Sequence, residues 1–170
     1  MVVNKGRRSQ LRRKYLSLGL GELFAVTLFI WVVFLWSNLE LFSDQERRSF
    51  LAGFAGLVIV LTQAGMYWLL ARRWVEVRPM PRQLARLYRL FQVFDVLVLL
   101  AAGAYIAVHL PRTGWAGIAS VTVWLFAVVE FVNYYMVRLS YPWTQWLGKV
   151  TQWRTPRLVQ DLRSGDRTVA

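Results

Sequence analysis

LYRLFQVFDVLVLLAAGAYIAVHL, residues 87–110, is apolar for long enough to cross a bilayer, yet it carries Gln92 and Asp95. A helix rises ~1.5 Å per residue and the hydrocarbon core is ~30 Å thick, so about 20 apolar residues suffice. A surface helix of a soluble protein would set a charged face against its apolar stripe. Here residues 96–108 carry no charge on any side. The stretch therefore reads as a membrane span whose polar side chains must find partners inside a bundle.

Three further runs resemble it in length and hydropathy, at about 18–36, 50–71 and 115–139. The predicted fold is all-α: a four-helix transmembrane bundle of two antiparallel hairpins occupying residues 1–141. The short Pro111–Gly114 connection folds the last two spans back on one another. Ser43-x-x-Glu46 is a capping box ahead of the second span. Pro79 and Pro81 break the connection between the second and third. Residues 142–170 form a tail in which Trp143, Trp146, Leu147, Val150 and Trp153 recur at helical spacing. Segment 143–154 is accordingly expected to be a short amphipathic helix at the membrane surface or against the connections. Beyond Pro156 the tail is polar and charged, and mobility is expected there.

Hydrophobic residues make up 56% of the chain, above the ~45–50% of a soluble domain. Cysteine is absent, which removes disulfides, thiolate metal sites and thiol catalysis. A lone histidine, His109, leaves no multi-histidine set for a metal or haem, and it is expected only to cap a helix end. No phosphate loop, nucleophile triad or metal-ligand spacing is present, so neither a cofactor nor catalysis is expected.

The net charge of +12 would suit nucleic acid, but nothing resembles a binding module. The basic residues instead flank the spans: six from Lys5 to Lys14, six from Arg72 to Arg89 and six from Arg138 to Arg167. Only Arg47 and Arg48 lie in the first connection and Arg112 in the third. The positive-inside rule then predicts both termini and the middle connection to be cytoplasmic, at the plasma (inner) membrane. Such blocks attract anionic lipid headgroups by about 1 kcal/mol per basic side chain near the surface. The first run is too long for a signal peptide and contains Glu22, so it is read as an uncleaved span. Trp31, Trp36, Trp68, Trp74, Trp115, Tyr67, Tyr141 and Trp143 fall near span ends, as interface anchors do.

Residues 51–61 align with residues 115–125, both opening on an Ala-Gly pair. The match suits either a parallel repeat of two hairpins or a shared need for small residues at helix contacts.

The polar interruptions sort by depth. Glu22, Gln63, Gln92, Asp95, Glu130 and Asn133 all lie in the half nearer the basic flanks. Asp95 and Glu130 stand about 12 Å in at 1.5 Å per residue. Tyr88, Gln92, Asp95, Leu99 and Ala102 share one helical face. So do Gly56, Val60, Gln63 and Tyr67, and so do Glu130, Asn133, Tyr134, Val137 and Arg138. An ionised carboxylate facing lipid costs at least ~2.5 kcal/mol. These faces are thus expected to converge on a polar pocket open toward the cytoplasm. Arg89 and Arg138 would be its charge partners. The alternative is that the same groups merely glue helices together, each bond worth about 0.6 kcal/mol. Tyr135, beside Tyr134, reads only as an interface anchor.

The stretch EFVNYYMVRLSYP, Glu130–Pro142, resembles a segment of small multispanning bacterial inner-membrane proteins that lack an assigned function. The resemblance implies a bacterial inner-membrane location and carries no activity. Glu22 is similar to the first-helix carboxylate of small multidrug-resistance transporters, but this chain is longer, has two deeper acids and shows no further motif of that family.

The function expected is therefore an integral membrane protein that assembles with a membrane-protein partner, a second copy or lipid headgroups. The alternative is a proton- or cation-coupled transporter using Asp95 and Glu130. A membrane-embedded enzyme would need a nucleophile or metal set that the sequence does not offer.

Overall fold

The computed structural model describes residues 5–37, 43–110, 114–137 and 154–166. They form α1 (Lys5–Ser37), α2 (Asp44–Ala71), α3 (Arg82–Val108), α4 (Gly114–Tyr135) and α5 (Arg157–Asp166). The fold is all-α, and α1 to α4 are each long and apolar enough to cross a membrane. That is the architecture of a multi-pass membrane protein.

Several helices outrun their apolar runs because the flanking basic residues are themselves good helix formers. Arg7 to Lys14 lie on α1 itself, as turns that precede the span. The capping box is present: Ser43 N–H donates to Glu46 Oε2 at 2.9 Å, and Glu46 N–H donates to Ser43 Oγ at 3.4 Å. At the other end of α2 the chain continues in tight turns before Pro79 and Pro81 stop it. Glu76 reverses it at φ 60°, a left-handed conformation that disfavours non-glycine residues by about 1–2 kcal/mol.

α2 is the hub, packing most extensively on α4, then on α1 and α3. Of its most apolar window 56% is buried, against 11% for α1. Small residues set the approaches. A Cβ on Gly65 would stand 2.9 Å from Leu23 Cγ of α1, and one on Gly19 would stand 2.9 Å from Gly65 O. A Cβ on Gly53 would meet the Ser120 carbonyl of α4 at 3.2 Å. The two hairpins are packed unlike one another, since α1 meets α2 far more than α3 meets α4. The two similar segments face each other instead: Gly53 and Gly56 on α2, Ala116, Gly117 and Ser120 on α4, all buried. Small residues in both segments let α2 and α4 approach closely.

Large apolar side chains cover the outer faces, among them Phe24, Trp31 and Phe34 of α1, Leu90, Leu97 and Leu100 of α3, and Ile118 of α4. A soluble monomer does not expose so much apolar surface, whereas lipid solvates it. Trp31 and Trp115 are exposed, as anchors would be. Tyr67, which is buried, and Trp74 depart from that expectation. Trp74 is buried, as are Val75 and Met80, so the α2–α3 connection folds inward.

The tail also departs from expectation. Segment 143–153 lies outside the described residues. Past Pro156, where a mobile end was expected, α5 docks across the basic end of the bundle against α3 and α4. Leu158 and Leu162 are buried there. Leu158, Asp161 and Leu162 recur at i, i+3 and i+4, which gives this otherwise polar helix one face to bury.

Candidate functional site: the polar interior

The sequence-predicted residues fall into three groups. The deepest joins α2, α3 and α4. Gln63 Nε2 donates to Asp95 Oδ1 at 2.9 Å. Tyr135 Oη donates to Gln63 Oε1 at 3.4 Å, and Tyr88 Oη donates to the Gln63 carbonyl at 3.2 Å. Gln63 sits in the last third of α2, on the stripe with Gly56, Val60 and Tyr67, and all four are buried. The α3 stripe behaves likewise through Tyr88, Asp95, Leu99 and Ala102, with Gln92 at its half-exposed edge. Asp95 has no exposed surface, and its Oδ2 is shielded from solvent without a hydrogen-bond partner.

The second group joins α1 to α4: Tyr134 Oη donates to Glu22 Oε1. The third lies on α4 alone, where Asn133 Nδ2 approaches Glu130 Oε2 at 3.5 Å. Glu22, Glu130 and Asn133 are half-buried. The inward stripe of α4 runs through Ala127, Phe131, Tyr134 and Tyr135, so Glu130 stands at its margin. Asp95 and Glu130 thus take different partners, an amide on α2 and an amide on α4. Arg89 lies exposed on α3, and Arg138 lies outside the described residues.

The expected opening at the basic end is covered. Asp161 of α5 is buried and accepts from Tyr67 Oη and from Trp74 Nε1, each at 2.9 Å. Its Oδ1 pairs with Arg157 Nε at 3.1 Å. One carboxylate thereby ties α5 to α2 and to the inward-folded connection. Tyr67 also packs edge-on against Tyr88, with ring centroids 5.8 Å apart. A column of buried polar side chains therefore runs from α5 to the middle of the bundle.

Sequence reasoning missed Asp161, Arg157, Tyr135 and Trp74. The signal for Asp161 was its place between Leu158 and Leu162 on one face. Tyr135 lay one position from a tyrosine already singled out. At the far end, His109 ends α3 with its ring stacked on Tyr105 at 4.3 Å, and its carbonyl accepts from Ser49 Oγ at 3.1 Å. That is the capping role expected.

The hydrogen bonds of this interior link α1 to α4 and α2 to α3 and α4. Each buried carboxylate faces amide, phenol or indole donors, the partners that make burial tolerable. Among the described residues no three His, Cys, Asp or Glu side chains gather as metal ligands. No protein-family model, curated protein or solved structure matches the chain.

Proposed function

We propose that this chain is a non-catalytic component of a bacterial inner membrane, with its termini and the α2–α3 connection on the cytoplasmic side. It acts by assembly, presenting its basic end to anionic headgroups and its apolar outer faces to lipid and to a membrane-protein partner or a second copy. The observation that carries this reading is the enclosure of Asp95: no exposed surface, one oxygen held by Gln63, and α5 across the basic end. A carboxylate that cycles a proton or cation needs a path to water. This one is packed as a tie between helices. The orientation rests on the eighteen basic residues at one end against three at the other, and the location on the resemblance of Glu130–Pro142.

Reporters fused after residue 170 and within the α3–α4 connection test the orientation. The first should be active only as a cytoplasmic reporter, the second only as an exported one. Proteoliposomes bearing a pH-sensitive dye test the role. Wild type and Asp95→Asn should show the same background leak under an imposed pH gradient. A wild-type flux that Asp95→Asn abolishes would establish transport instead.

A further inference from the structure

The basic end carries a cleft that the polar interior does not use. It has a volume of about 400 Å3 and is lined by Arg8, Ser9, Arg12, Arg13 and Leu16 of α1 and by Arg72, which caps the end of α2. On α1 these positions are i, i+1, i+4, i+5 and i+8, a single helical face. No carboxylate lines the cleft. Glu76, on the adjoining connection, pairs with Arg7 at 3.5 Å. Arg8 Nε and Arg72 Nε are both shielded from solvent without a hydrogen-bond partner.

Four guanidinium groups around one cavity repel each other, and like charges four residues apart weaken a helix. A bound anion removes that repulsion and satisfies the shielded N–H groups. Every lining cation is an arginine, although Lys14 lies on the same segment, exposed. Arginine's planar fork matches the oxygens of a phosphate in two parallel bonds, where an ammonium gives a point charge. The volume lies within the range of small-molecule sites, about 300–1,000 Å3. Leu16 supplies an apolar wall on the side of the span.

We propose that the cleft between the amino-terminal turns of α1 and the end of α2, lined by Arg8, Ser9, Arg12, Arg13 and Arg72, binds a phosphate group. A phospholipid headgroup and a free phosphate ester present the same oxygens. The proposal rests on the reading above only in placing the cleft at headgroup level.

The test compares Arg12→Gln with Arg72→Gln, as a pair, against the charge-matched pair Arg78→Gln with Arg86→Gln, which are exposed and outside the cleft. Circular dichroism should show all forms equally helical. Calorimetry of the full chain in neutral detergent, titrated with inorganic phosphate and glycerol phosphate, reads the free source. Native mass spectrometry after release from nanodiscs of phosphatidylcholine and phosphatidylglycerol in equal parts reads the lipid source. Loss confined to the cleft pair, about tenfold or more in affinity or as a missing lipid adduct, supports the site, and the arm showing it names the source. Equal loss in both pairs, or no binding by wild type in either arm, overturns it. In the former case the basic end meets headgroups by summed charge and the broader reading stands. Phosphate binding with a basic end that the reporters place outside the cell would instead leave the site standing and remove that reading.

Discussion

At the residue scale, Asp95 and Asp161 are the two buried carboxylates among the described residues, and they differ in what they join. Asp95 accepts one bond from Gln63 through Oδ1, and an asparagine carbonyl can take that place. Asp95→Asn should therefore unfold within a few degrees of wild type in detergent. Asp95→Leu leaves the Gln63 amide buried without an acceptor and should destabilise by about 1–3 kcal/mol. A thermal melt followed by tryptophan fluorescence separates the two. Asp161 accepts from two buried donors, so Asp161→Ala orphans both the Tyr67 hydroxyl and the Trp74 indole. At about 1–3 kcal/mol for each orphaned donor, α5 should undock while the spans persist. Trypsin should then cut at Arg157 and Arg163 much faster than in wild type. Unchanged cleavage would mean that Leu158 and Leu162 hold α5 without the carboxylate.

At the scale of the elements, the signals a helix carries by itself are legible in the sequence, and the pairing of side chains between two helices is not. Hydropathy marked four spans, a 3.6-residue period marked the faces of α2 and α3, and Ser43 with Glu46 marked a cap. These are local signals. The period placed Glu130 on the inward face of α4 because acids were assumed to lead. The packed stripe instead follows Ala127 and Phe131, and it brings Tyr135 in with Tyr134. Which amide meets Asp95 depends on rotation and height of two helices, and no spacing within either one encodes that. The glycines carry the clearest inter-helix information. Gly65→Val would set a Cβ 2.9 Å from Leu23 Cγ, and overpacking of this kind costs typically about 1–3 kcal/mol. Gly21→Ala, with nothing within 4 Å of its Cβ, should be neutral or slightly stabilising, since alanine favours the helix. A melt that drops for both variants would show that α1 responds to any added bulk and not to its crossing with α2.

At the scale of the whole molecule, charge and hydropathy act along one axis. The described basic residues of the α1 amino-terminal turns, the α2–α3 connection and α5 gather at one end of the bundle, and apolar side chains cover its flanks. An alkaline carbonate wash strips proteins held at a membrane by charge alone. It should leave this chain in the pellet, and detergent should release it. Release by carbonate would contradict four embedded spans. The closed end was the least legible part of the sequence, because a ten-residue polar helix after a proline looks like solvent-exposed tail. Its docking face centres on Leu158, Asp161, Leu162 and Gly165, which rest against α3, α4 and the α2–α3 connection while Asp161 alone reaches back to Tyr67 on α2.

Those partners are remote along the chain. Tyr67 is 94 residues from Asp161 and Trp74 is 87. A ribosome releases the connection that holds Trp74 well before it synthesises α5. All four spans can thus be in place while that connection still lacks its closing helix. Closure of this contact is therefore a late event, possible only after all four described spans and α5 have been made. A translation product stopped after α4 would carry the four described spans and still leave the Tyr67 and Trp74 donors without their carboxylate.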